Sequence, residues 1–334
     1  MNRTELLPDR PGIPPMAKLP EAEVIDIDAL RRGLASGEID LVCVLGPTAS
    51  GKTRYAVELA RGLGGEILSA DSRQVYRGMD IGTGKDLCEY GDVPYHLIDI
   101  VPAGAKYNIY EYQRDFLKAY VDVRSRGAVP ILCGGSGLYI EAATCGYRLA
   151  PVEPDPELRR SLEALSHEEL IRRVRALNPG IPDGVLQSKK RTVRALEVAL
   201  VQAREQGSPV LPTKPAFGAT RVQGSPVLPT NTYYIGTLVT REERVARIDR
   251  RLHERLQEGL VEEVRGLLEG GVKADDLIYY GLEYKFVTQY ILGQLSFDDM
   301  ETALANAIHQ FAKRQMTWFR GMERDGIRIH WTRP

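Results

Sequence analysis

With 334 residues, 43% hydrophobic and 27% charged, the chain has material for one large domain or two ordinary ones around a buried core. Its 44 basic and 45 acidic side chains leave a formal charge of -1, which excludes a globally basic nucleic-acid binder and confines any such contact to local basic patches. The four cysteines, Cys43, Cys88, Cys133 and Cys145, form no C-x-x-C pair and read as reduced, buried thiols of a cytoplasmic protein. Met1 to Pro20 is rich in Pro and charge and lacks the apolar run of a signal peptide, and no stretch reaches membrane-spanning length.

In chain order, Asp28 is a candidate N-cap for a short helix from Ala29 to Leu34 that ends near Gly37. Leu41 to Leu45 (L-V-C-V-L) is an unbroken apolar run of strand length, and Tyr55, Ala56, Leu59 and Leu63 mark a following helix. Further strands are expected at Glu66 to Ala70, His96 to Val101 and Val129 to Cys133, with a helix over Tyr110 to Arg124 between them. This alternation predicts an α/β fold built on a parallel sheet with flanking helices. From Asp155 to Arg204 the apolar runs give way to polar helices whose Leu158, Leu162, Leu165, Leu170 and Val174 share one face, an inserted helical subdomain. The octamer Q-G-S-P-V-L-P-T occurs at Gln206 to Thr213 and again at Gln223 to Thr230, which reads as a local duplication in a Pro-rich loop. The sheet resumes at Tyr233 to Val239, helices come next from Arg241 to Leu268, and Ser296 with Asp299 starts a last long helix running to about Arg320. The expected divisions are an N-terminal extension (1–39), a core (40–150 and 231–334), a helical insert (151–205) and the Pro-rich loop (206–230).

Gly46-Pro47-Thr48-Ala49-Ser50-Gly51-Lys52-Thr53 fits G-x-x-x-x-G-K-[ST] between a strand and a helix, which is the context a phosphate cradle needs. The glycines let backbone N–H groups curl around phosphate oxygens, Lys52 adds a point charge, Thr53 can reach Mg²⁺, and the helix N-terminus adds partial positive charge. The loop alone leaves nucleotide kinases, NTPases and transferases open. Asp71, at the end of the second strand, projects toward the crevice where open α/β sheets bind ligands. As a lone carboxylate it is a proton acceptor, a helix cap or a magnesium ligand. Arg244, Arg247 and Arg251 fall on one helix face, and an exposed basic face is the expectation for Arg241 and Arg244.

Five blocks taken together carry a resemblance. They are the phosphate loop; Ser69 to Thr83 (S-A-D-S-R-Q-V-Y-R-G-M-D-I-G-T); Tyr95 to Asp99; Gly134 to Tyr139 (G-G-S-G-L-Y); and Ala312 to Arg320 (A-K-R-Q-M-T-W-F-R). In this order the chain resembles the bacterial tRNA dimethylallyltransferase family from about residue 40 to residue 331. The resemblance implies a P-loop that holds dimethylallyl diphosphate with Mg²⁺, and a tRNA adenine beside the anticodon whose N6 amine attacks the allylic carbon. Asp71 matches the family's general base, Arg251 its diphosphate-contacting arginine, and Ser136 stands where most relatives have Thr, keeping the hydroxyl. Ser72, Arg73, Gln74, Arg159, Lys190, Arg191, Arg194, Lys313, Arg314, Gln315 and Arg320 match positions the family uses on the anticodon stem-loop of tRNA. One departure is Glu283, which replaces the Gly that commonly precedes the Tyr-Lys pair. The rivals are a small-molecule kinase with the same loop, a prenyltransferase acting on free adenine nucleotides, and a non-enzymatic RNA-binding module. No heptad or long apolar edge demands a second subunit, so a monomer is expected.

Overall fold

The computed structural model describes residues 19–145, 155–181, 183–206 and 228–334. The Pro-rich leader up to residue 18 and most of the duplicated octamer lie outside the described residues. Helix α1 (Ile27–Ser36) leads into β1 (Leu41–Leu45) and α2 (Lys52–Leu63), followed by β2 (Gly65–Ser69). A region of short elements comes next, with β3 (Tyr76–Arg77), β4 (Tyr95–His96) and β5 (Val101–Pro102), and then α3 (Ile109–Ser125), β6 (Val129–Gly134) and α4 (Gly137–Thr144). The insert comprises α5 (Pro156–Glu163), α6 (His167–Leu177), α7 (Asp183–Leu186) and α8 (Lys189–Gln206). Strand β7 (Thr232–Thr237) returns to the sheet and leads to α9 (Arg241–Glu258) and α10 (Leu260–Glu269), then α11 (Ala274–Tyr280), α12 (Leu282–Ile291), α13 (Phe297–Arg324) and β8 (Ile329–Thr332).

The main sheet has the order β4-β2-β6-β1-β7-β8, and its paired strands run parallel. The predicted α/β class with a P-loop-type parallel sheet is what the chain adopts. Successive side chains of a strand point to opposite faces, and β1 shows why a continuous apolar run was needed. Val42 and Val44 pack with Leu30 of α1 and Ala56 and Val57 of α2 on one face. Leu41, Cys43 and Leu45 pack with Tyr112 and Phe116 of α3 and with Met316 and Phe319 of α13 on the other. Both faces are therefore dry, and a polar residue anywhere on β1 would be left without water. The insert keeps a separate apolar cluster, in which Leu162, Leu170, Val174, Val193 and Leu196 close on one another.

Several expectations are corrected. The first helix is capped by Asp26, whose carboxylate accepts the Ala29 N–H at 2.9 Å, and not by Asp28. The strand expected over His96 to Val101 is broken: β4 pairs with β2, whereas β5 pairs with β3 in a separate two-stranded sheet. Between them Leu97 and Asp99 take positive φ angles of 66° and 57°. The Lys85 ammonium, 1% exposed, lies where it bonds the Tyr76 carbonyl at 2.7 Å, Asp80 at 2.6 Å and Asp99, and this buried cation draws the chain out of the strand. Residues 241–268 break at Gly259, whose left-handed φ of 105° ends α9 and starts α10. The last helix continues past Arg320 to Arg324, and β8 was not foreseen. Cys43 and Cys133 are buried, Cys145 is intermediate and Cys88 is exposed, so the uniform burial expected of the cysteines does not hold.

Candidate active site

The parallel ladder brings the ends of four neighbouring strands to one level. Leu45 of β1 is in register with Gly134 of β6 and with Gly236 of β7, and Ser69 of β2 is in register with Cys133. The segments leaving these strand ends therefore meet at the carboxyl edge, where ligands of such sheets bind. The phosphate loop leaves β1, Asp71 comes after β2, Ser136 after β6, and the helix carrying Arg251 after β7.

A cleft of about 1240 Å³ opens there, lined by Thr48, Lys52, Thr53, Asp71, Ser136 and Arg251 among others. Drug-sized ligands occupy about 300–1,000 Å³, so this space accommodates more than one small molecule. Gly51 caps α2 with φ 82° and offers no side chain to the first-turn N–H groups, which leaves them available to an anion. Ala49 also adopts a positive φ, 61°, a conformation that costs a non-glycine residue about 1–2 kcal/mol and recurs in anion-binding turns. The Ser50 hydroxyl, fully buried, is fixed by Thr237 Oγ1 of β7 at 2.6 Å. Burial in the cleft pulls the Lys52 pKa below the usual lysine value, with Cys133 and Asp71 opposing.

Asp71 is half-buried, and its Oδ1 accepts the Arg73 N–H at 2.9 Å, so the turn itself aims the carboxylate. Ser136 Oγ accepts the Ser72 N–H at 3.2 Å and places a hydroxyl beside Asp71's own turn. Gln74 is 9% exposed and bridges Ser69 Oγ at 3.1 Å to the Gly84 carbonyl at 3.1 Å. Arg251 reaches the cleft from α9; burial and then the adjacent Arg255 guanidinium lower its pKa, opposed by Asp86 and Glu283.

The structure sorts the residues expected to face RNA. Arg73, Arg314 and Gln315 line the cleft, and Lys190, Arg191, Lys313 and Arg314 are exposed. Gln315 is 7% exposed, and both ends of its carboxamide are engaged by protein: Oε1 accepts the Thr48 N–H and Nε2 donates to the Gly135 carbonyl at 2.9 Å. Arg159 and Arg194 converge on the buried Glu197 at 2.6 and 2.5 Å while their side chains stay 37% and 39% exposed, so both remain at the insert's surface. Arg320 is part-exposed. Arg244, expected on an exposed face, is part-buried, and burial followed by Arg241 and Arg320 lowers its pKa. Residues not foreseen at the cleft are Tyr279, whose ring lies 5.9 Å from the Arg73 guanidinium carbon, and Arg255. The i, i+4 spacing of Arg251 and Arg255 was the available signal for the second.

A parallel sheet with a phosphate-binding loop, a carboxylate across the cleft and an arginine-bearing helix over it define a P-loop group-transfer enzyme. The family model described as IPP transferase matches residues 74–322, and one described as isopentenyl transferase matches residues 39–90. The chain is 52% identical over 295 residues to tRNA dimethylallyltransferase 1 of Porphyromonas gingivalis, covering 87% of this chain and 93% of the relative. It is 49% identical over 298 residues to tRNA dimethylallyltransferase 2 of Bacteroides fragilis, covering 88% and 92%. Among solved structures, the tRNA isopentenylpyrophosphate transferase of Bacillus halodurans superposes with a TM-score of 0.62 at 31% identity, over 88% of this chain and 89% of that one. A eukaryotic dimethylallyltransferase acting on tRNA shares the fold with a TM-score of 0.69 at 20% identity, over 88% and 74%. The chain belongs to the tRNA dimethylallyltransferase family, the IPP transferases.

Proposed function

We propose that this chain transfers the dimethylallyl group of dimethylallyl diphosphate to N6 of the adenine adjacent to the anticodon (position 37) of tRNA, releasing diphosphate. The observation that carries this reading is that Asp71 and the phosphate loop leave the level ends of β2 and β1, the two strands that flank β6, and line one cleft. An exocyclic adenine amine is a weak nucleophile because its lone pair is conjugated with the ring, and a positioned base helps it. In the reaction the N6–carbon bond forms, the allylic C–O bond breaks with its electron pair leaving on diphosphate, and the amine proton passes to Asp71. Ser136, beside the Asp71 turn, positions the amine, while Lys52 and Arg251 stabilise the charge growing on the leaving group.

Among the described residues no group of three or more His, Cys, Asp or Glu side chains forms a metal site. Mg²⁺ is usually held by one or two protein oxygens together with water and substrate phosphates, and the Thr53 hydroxyl is such an oxygen at the cleft. Thr53, lining the cleft at the start of α2, would hold it, and the ion would neutralise phosphate charge. Exposed Lys190, Arg191, Lys313 and Arg314 provide phosphate contacts for the anticodon stem-loop, and exposed Trp318 and Tyr279 give stacking faces for unpaired bases. The enzyme works as a cytoplasmic monomer; among the described residues no helix is long and apolar enough to cross a membrane.

The test is incubation with labelled dimethylallyl diphosphate and an unmodified anticodon stem-loop. Label in the RNA at the adenine is expected. Equal labelling of free AMP would replace this reading with a free-nucleotide prenyltransferase, and phosphate transfer from ATP without a prenyl donor would replace it with a kinase.

A further inference from the structure

Arg255 sits one helical turn after Arg251 on α9 and is 9% exposed. Its nearest carboxylates are Asp86 at 3.8 Å and Glu283 at 3.9 Å, both beyond hydrogen-bond range, and its Nη2 is buried without a hydrogen-bond partner. A buried guanidinium nitrogen without a hydrogen bond keeps its desolvation penalty uncompensated, so a side chain held in this state points to a ligand that completes it. The surroundings are built to hold it. Gly84 lies so close that a Cβ there would stand 1.7 Å from Nη2, and Gly84 itself has φ +58°, which favours glycine. Glu283, at the first turn of α12, is brought to the same cleft, and burial raises its carboxyl pKa with Arg255 opposing.

Beside this guanidinium lies a recess of about 20 Å³, with Thr48 and Ala49 of the phosphate loop, Arg251, Arg255 and Glu283 on its polar side and Ile248, Leu252 and Ile308 closing it. It admits one water-sized group, which is the size of a phosphate oxygen. The two guanidiniums share one distant anion, Asp86 Oδ2, at 4.0 Å from Arg251 and 3.8 Å from Arg255, and contacts of that length leave room for a closer, bidentate partner. We propose that Arg255 is a second diphosphate-binding arginine, oriented by Glu283 as a positioning residue, and that it shares with Arg251 the phosphate group furthest from the allylic carbon. This rests on the prenyl-transfer reading for the identity of the diphosphate and on the geometry alone for the site.

The experiment titrates inorganic pyrophosphate with Mg²⁺ into the full chain by calorimetry, alongside transfer kinetics with dimethylallyl diphosphate and the stem-loop. Arg255→Met should weaken pyrophosphate binding about 10- to 100-fold and raise the KM for the prenyl donor, with stem-loop affinity unchanged. Arg255→Lys should fall between. Glu283→Gln should weaken pyrophosphate binding less than Arg255→Met does. The double variant Arg255→Met, Glu283→Gln removes the orphaned carboxylate, so it reports on the lost contact alone. Pyrophosphate affinity equal to wild type in the double variant would overturn the proposal and make Arg255 a packing residue. Wild-type binding of pyrophosphate that depends on Arg255 but comes with no transfer to RNA would leave this inference standing and overturn the proposed reaction instead.

Discussion

Gln315, late in the chain, accepts the backbone N–H of Thr48 at 2.8 Å. Its other end donates to the Gly135 carbonyl, so one buried carboxamide on α13 ties the phosphate loop to the turn after β6. The consequence is that the shape of the loop depends on a helix from the far end of the chain.

Gln315→Ala leaves the Thr48 N–H and the Gly135 carbonyl without these partners, at a cost of about 1–3 kcal/mol. Denaturant unfolding should show that loss, and hydrogen exchange at the Thr48 amide should accelerate. An unchanged Thr48 exchange rate would mean that the loop holds its shape unaided.

Asp71→Asn preserves the side-chain oxygen that accepts the Arg73 N–H and removes the charge. Transfer to RNA should fall by about 10²–10⁴ while pyrophosphate affinity stays near wild type. Single-turnover kinetics separate the two, and near-normal transfer would remove the carboxylate from its role as base.

Arg191 is exposed at the start of α8. In Arg191→Ala the plot of log affinity for the stem-loop against log salt should flatten by about one unit of slope. A slope equal to wild type would show that this side chain touches no phosphate.

Glu66 lies under two donors, Arg126 Nη2 at 2.7 Å and His96 Nε2 at 2.6 Å. Burial alone would raise its carboxyl, but the hydrogen bonds from Arg126 and His96 outweigh it and the net shift is downward. A folded value below the unfolded one means that the stabilisation is present above the usual carboxylate range and is lost as pH falls through the folded value. Because Arg126 is 44% exposed, solvent screening keeps the contribution of the pair small. Glu66→Gln should therefore be modestly less stable than wild type at neutral pH. The gap should close as pH falls below the usual carboxylate range, and urea melts at neutral and at acid pH measure it. A gap independent of pH would assign the loss to packing.

The core of the fold was readable in the sequence because its signals are local. An apolar run leading into a glycine-bounded loop marks a buried strand feeding a phosphate cradle, and the alternation beyond it fixes a parallel sheet. The break between β4 and β5 was not readable, since nothing near His96 announces that Lys85, eleven residues earlier, is buried against Asp99. The pairing of Arg159 and Arg194 with one carboxylate was hidden for the same reason: it depends on Glu197, which the insert's packing leaves fully buried. Among the many basic residues of α9, Arg255 differs only through a glycine and a glutamate supplied from distant segments.

The level ends of β2, β6, β1 and β7 have a thermal consequence. The spacing of the strand ends that carry base, loop and arginine helix is maintained by backbone ladders and should persist on warming until the sheet itself melts, whereas the insert, with its own apolar cluster, can open at a milder temperature and take RNA affinity with it.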